Sequence, residues 1–101
     1  MSGKIDGIGA SQLKTIAELI RNILPKAGIL AFGSRVTGGA RKYSDLDLAL
    51  DNRGIIERKD IARIKEALSE SDLPFLVDLV DLNAVDGEFR ELILKNSLQI
   101  D

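Results

Sequence analysis

Apolar residues in this chain repeat at two periods, and the switches between them mark out the elements. From Ser11 onward, Leu13, Ile16, Ala17, Ile20, Ile23 and Leu24 recur at steps of three and four. That spacing predicts an amphipathic helix with Ser11 as its N-cap and Pro25 closing the far end. Residues 1–10 are small and polar with three glycines and read as a loose lead-in. Lys26-Ala27-Gly28 turns the chain into Ile29-Leu30-Ala31-Phe32, an apolar run short enough to be a buried strand, and Gly33-Ser34 stops it. After a loop carrying Gly38, Gly39, Arg41 and Lys42 the period becomes two: Leu46, Leu48 and Leu50 alternate with Asp45, Asp47 and Ala49. This predicts a strand whose leucines face the core and whose aspartates face away. Asn52-Arg53-Gly54 reads as a turn, followed by a helix with Ile61, Ile64, Ala67 and Leu68 on one stripe, ending between Ser69 and Asp72. Phe75 to Leu82 is apolar on both parities apart from Asp78 and Asp81, the pattern of a central strand covered on both faces. Glu88 to Asn96 is expected as a last helix with Phe89, Leu92 and Ile93 inward. No internal repeat, low-complexity tract or linker divides the chain, so residues 1–101 read as one domain.

Composition narrows the chemistry. At 45% hydrophobic and 30% charged residues the chain is ordinary globular material, and no apolar run approaches the roughly 18 residues that suggest a membrane span. The N-terminal MSGKIDGIGASQ has no continuous apolar segment or cleavage-like site, so a cytoplasmic location is expected. Cysteine and histidine are both absent. This excludes disulfides, thiolate nucleophiles, Cys-ligated zinc, and the commonest general base and transition-metal ligand. Catalysis, if present, runs on carboxylates. A net charge of −2 supplies no large basic field and disfavours nonspecific nucleic-acid binding.

The candidate chemistry lies between Ala31 and Asp51. On a strand, Asp45 and Asp47 share a face with Cα atoms roughly 6.5 Å apart, close enough to converge on a hard cation. Aspartate is a poor strand former, yet an isolated D-x-D is more often a solvated outer face. Asp78 shares strand parity with Leu76, Val80 and Leu82, where an unpaired charge is expensive. It is expected either to share a cation site with Asp45 and Asp47 or to pair with an Arg or Lys. Asp81, on the other parity, suits a solvated or turn-capping role. Gly33 allows close backbone approach, and Ser34 is placed to cap a short helix facing an anion, although such turns are usually structural. Arg35, Arg41 and Lys42 read equally well as phosphate contacts or surface charges, and Tyr43 as a base-packing or loop-covering residue. Other motifs fail. Lys42 follows Arg41 and not a glycine, so there is no P-loop. An EF-hand starting at Asp45 would meet Ala49, Leu50 and Ile56 where it needs an oxygen ligand, glycine and glutamate. A phosphatase-type aspartyl nucleophile would emerge from an apolar strand, whereas Arg41-Lys42-Tyr43-Ser44 precedes Asp45.

Assembled, these residues resemble the minimal nucleotidyltransferases of the DNA-polymerase-β-like superfamily. That family's pattern is Gly-Ser, ten residues, then Asp-x-Asp, and Gly33-Ser34, residues 35–44 and Asp45-Leu46-Asp47 follow it without departure. A third family aspartate on a later strand is matched by Asp78 in Val77-Asp78-Leu79-Val80-Asp81. The resemblance implies an α/β (α+β) fold, a small mixed β-sheet flanked by helices of the polymerase β-like palm kind. It also implies a Mg²⁺-dependent transfer of a nucleoside monophosphate, AMP from ATP, to an acceptor hydroxyl. Asp45, Asp47 and Asp78 would be catalytic and would hold two Mg²⁺ ions, while Gly33 and Ser34, with Arg35 and Lys42, would contact the nucleotide. Larger members add a helical acceptor-binding domain near where this chain ends. Minimal members work with small helical HEPN-type proteins, as substrate-binding subunits or as toxins neutralised by adenylylation. An antitoxin-like subunit of such a pair, or a homodimer, is therefore expected. Two alternatives are a non-catalytic nucleotide- or partner-binding module and transfer to a small acceptor such as an aminoglycoside. Leu98 and Ile100, apolar in a polar tail, fit an interface or a last core contact equally.

Overall fold

The structure is a computed structural model and describes residues 5, 7–37 and 45–100. Its elements run α1 (Ala10–Arg21), β1 (Gly28–Phe32), α2 (Ser34–Thr37), β2 (Leu46–Asp51), α3 (Arg58–Ser69), β3 (Val77–Asp81), α4 (Gly87–Lys95) and β4 (Leu98–Gln99). The strands form one mixed sheet in the order β3-β2-β1-β4. β1 is antiparallel to both β2 and β4, and β2 is parallel to β3. A parallel pair needs a crossover connection, and α3 supplies it.

The two-residue period of β2 sorts its side chains between two layers. Leu46, Leu48 and Leu50 are fully buried with Ile29 and Ala31 of β1 against Ile16, Ala17 and Ile20 of α1 and Ile64 and Leu68 of α3. On the other face a smaller cluster joins Ala49, Leu82 and Ile93, with Leu30, Phe32 and Val80 packed on it, and α4 covers it.

Several boundaries differ from the sequence expectation for local reasons. α1 begins at Ala10 with Gly9 as its N-cap, because the Gln12 side chain reaches back to accept the Gly9 N–H at 3.0 Å; Ser11 lies inside the first turn. The helix stops at Arg21, and the Leu24 N–H still reaches the Ile20 carbonyl at 2.8 Å before Pro25. Arg21 then ties the helix end to β1 by donating to the Ala27 carbonyl from Nε and Nη2.

β3 corrects the expectation of a central strand, since it lies at the edge of the sheet. Its apolar residues on both parities reflect helices on both faces of the sheet, a condition that an edge strand can satisfy as well. Asp78 is consequently exposed, and Leu76, which shares its parity, is 70% exposed. α4 turns only Ile93 fully inward; Leu92 is 59% exposed, and Phe89 meets Phe32 edge-on at 6.0 Å. Leu98 and Ile100 both pack against the core, with the Ile100 N–H donating to Ile29, so they act as core contacts here. Asp81 takes the turn-capping role, accepting N–H groups of Ile56 at 2.7 Å and Asn83 at 3.0 Å. Among the described residues no helix is long and apolar enough to cross a membrane.

Candidate active site

Register places the candidate residues in a row. Phe32 pairs with Asp47 across β1 and β2, and Asp47 pairs with Asp78 across β2 and β3. Directly paired residues on neighbouring strands share a face and sit about 5 Å apart. The row therefore crosses three strands on the α4 side, at the end of the sheet where β2 begins. Asp45 lies just ahead of β2, exposed, two residues before Asp47.

The turn after β1 closes tightly onto this row. Gly33 has a φ of +83°, a conformation that side chains rarely adopt. A Cβ there would collide with Asp47 Oδ2 and lie 3.2 Å from its Cγ. Glycine is thus required twice, by backbone conformation and by the carboxylate pressed against it. The Gly33 carbonyl receives the N–H groups of Val36 and Thr37, each at 3.0 Å, and the Thr37 hydroxyl at 3.2 Å. These bonds wind α2 directly out of the turn and set the exposed Ser34 at its first position.

Electrostatically the row is over-supplied with negative charge. Burial, then the Asp78 carboxylate, then that of Asp45, push the Asp47 carboxyl above its usual range. The donors at this end of the sheet are hard carboxylate oxygens, which fit Mg²⁺ by chemistry. Among the described residues, no three acidic side chains are gathered into a ready-made metal cage. The carboxylates meet as a line of mutual repulsion that a cation would relieve.

Arg35, expected from the sequence either as a phosphate contact or as a surface charge, is not on the surface. It is only 5% exposed, and its guanidinium lies over the Phe75 ring with Cζ 5.1 Å from the centroid. Lys42, Arg41 and Tyr43 lie outside the described residues. An apolar cavity of about 250 Å³ opens beside the turn, lined in part by Phe32, Gly33, Thr37, Phe89 and Leu92. Phe75, in an apolar run, and Phe89, between Glu88 and Arg90, are neighbours of the site that the sequence does not mark, since an aromatic side chain carries no sign of what it will face.

The mixed sheet thus carries a Gly-Ser turn against a row that holds Asp47 and Asp78. The chain belongs to the family described as Polymerase beta, Nucleotidyltransferase, which matches residues 14–100. A curated relative from Haemophilus influenzae, named Probable protein adenylyltransferase MntA, is 43% identical over 88 residues, 87% of this chain and 77% of that protein. A crystal structure of a toxin-antitoxin with AMP-PNP is 27% identical with a TM-score of 0.75, covering 88% of this chain and 72% of the other. A third protein, provisionally described as a minimal nucleotidyltransferase, is 29% identical with a TM-score of 0.67, covering 92% of this chain and 97% of its own.

Proposed function

We propose that this nucleotidyltransferase moves AMP from ATP to a hydroxyl of a separate helical, HEPN-type partner protein, as the antitoxin-like member of a cytoplasmic pair. The observation that carries the reading is the Asp47–Asp78 pair across β2 and β3, with Gly33 packed against Asp47. The adenylyltransferase relative and the toxin-antitoxin bound to AMP-PNP support the choice of nucleotide and partner.

In this account the Gly33–Ser34 turn receives the triphosphate, and Asp45, Asp47 and Asp78 would hold Mg²⁺. Two such ions would supply charge stabilisation for the attacking and leaving oxygens. Asp78 is exposed on an edge strand, where it is open to a bulky acceptor and would take the proton of its hydroxyl. The acceptor oxygen bonds to the α-phosphorus, the bond from that phosphorus to the bridging oxygen breaks, and pyrophosphate leaves. Asp47, held by its neighbours on the sheet, would be one of the carboxylates that hold the cation beside the reacting phosphate. Lys42 remains a proposed phosphate contact.

The test is incubation with α-labelled ATP, Mg²⁺ and the co-purifying partner. Label on the partner that disappears with Asp47→Asn supports the reading. Stable partner binding with no transfer would favour a binding module, and label on an aminoglycoside alone would favour a small acceptor.

A further inference from the structure

Burying an arginine is costly unless its charge is well used, and Arg35 is buried at one of the most sensitive points of the fold. It directly follows Ser34 in α2, the helix that winds out of the turn closing onto Asp47. Its guanidinium lies over Phe75 at a distance typical of a cation–π contact. Phe75 is three residues ahead of Asp78, and the next carbonyl along, that of Leu76, accepts the Leu46 N–H at 2.9 Å where β3 joins β2 between Asp45 and Asp47. On its other side the chain passes tightly: Gly7 has a φ of +74°, and a Cβ there would lie 2.9 Å from Arg35 Nη1. The adjoining Ile5 is buried in the core. One side chain therefore touches the lead-in turn, α2 and the root of β3, the segments that flank both halves of the site.

We propose that Arg35 is a positioning residue that pins the Gly33–Ser34 turn to the root of β3 and so fixes the spacing between the turn and Asp78. This assigns it a role other than nucleotide contact, because a guanidinium stacked on Phe75 is turned away from solvent. Simple space-filling would be served more cheaply by an apolar side chain of the same length. The contact supplies direction as well as volume, since the ring quadrupole attracts a cation over its face and not at its edge. The proposal rests on the reading of turn and aspartates as one nucleotide site.

The experiment compares wild type with Arg35→Met, Arg35→Lys and Phe75→Leu by hydrogen exchange and by calorimetric titration with Mg-ATP. Expected for Arg35→Met and Phe75→Leu is at least tenfold faster exchange at the Val36 and Thr37 amides, and at least tenfold weaker Mg-ATP binding. Exchange in α3 should be unchanged. Arg35→Lys, which keeps the cation, should recover part of both, and the Arg35→Met/Phe75→Leu double variant should lose less than the sum of the two singles. Wild-type exchange at residues 33–37 in Arg35→Met or Phe75→Leu would overturn the proposal. So would loosening spread evenly over the sheet, or additive losses in the double variant. If Arg35→Met does not fold, Phe75→Leu and Arg35→Lys decide it by the same readouts. A wild-type protein that binds no Mg-ATP would overturn the nucleotide-site reading, while the exchange data would still decide the role of Arg35.

Discussion

The two faces of the sheet are built from the same strands and differ in almost everything else. Toward α1 and α3, β2 presents Leu46, Leu48 and Leu50, all fully buried against Ile16, Ile20 and Ile64. Toward α4 the same strand presents Asp47, Ala49 and Asp51, and among the described residues only Ala49, Leu82 and Ile93 are buried there. At the far end of that face Asp51 is satisfied, accepting from Asn83 Nδ2 and the Arg53 N–H, each at 3.0 Å. At the near end Asp47 meets other carboxylates. One face supplies stability, and the other tolerates carboxylates that repel one another around Asp47.

The contrast is most sharply broken from the packed side. Leu48→Ala should cost about 3 kcal/mol in urea unfolding, because the cavity left among α1, α3 and the sheet cannot collapse. The melting midpoint should drop by about 10–20 °C. Gly33→Ala comes next, at about 1–2 kcal/mol, since alanine must adopt the left-handed backbone and displace the Asp47 carboxylate. Its loss of nucleotide binding should exceed what that destabilisation explains.

Asp47→Asn should act in the opposite direction on stability, raising the melting midpoint of the metal-free protein by a few degrees, a shift of the order that a fraction of a kcal/mol produces. Because its folded pKa is raised, the folded state holds the Asp47 proton more tightly than the unfolded chain does. Wild-type stability contributed at this group therefore falls as pH rises from below 3.8 through the raised folded value. The gain from asparagine should be present at pH 7 and vanish in the acid range. Asp51 has the reverse sign: the Asn83 and Arg53 hydrogen bonds lower its pKa, so the advantage of wild type over Asp51→Ala due to that charge should be present above 3.8 and fade below it. Leu92→Ala, on the exposed side of α4, should change stability by less than about 0.5 kcal/mol.

Legibility in the sequence follows the same division. The packed side was readable because helical and strand periods record burial directly: α1, α3, β1 and β2 lie within a few residues of their expected positions. The edge position of β3 was not readable, since apolar residues on both parities report two covered faces and say nothing about neighbours within the sheet. Of the candidate site, Asp45 and Asp47 stand out by strand alternation and Asp78 by its parity, while Gly33 and Ser34 join them through the family resemblance, and the fold brings Asp47, Asp78 and Gly33 together. Arg35 was unreadable for a physical reason: its identity announces a charge, while its burial over Phe75 depends on two segments remote in sequence.

Calorimetric titration of the wild-type chain and Asp47→Asn with an ATP analogue blocked between the α- and β-phosphates, with and without Mg²⁺, tests the central claim most directly. The account predicts binding by the wild type that depends on Mg²⁺ and is lost in Asp47→Asn, although the variant is at least as stable. Equal affinity in both proteins, or affinity indifferent to Mg²⁺, would contradict it.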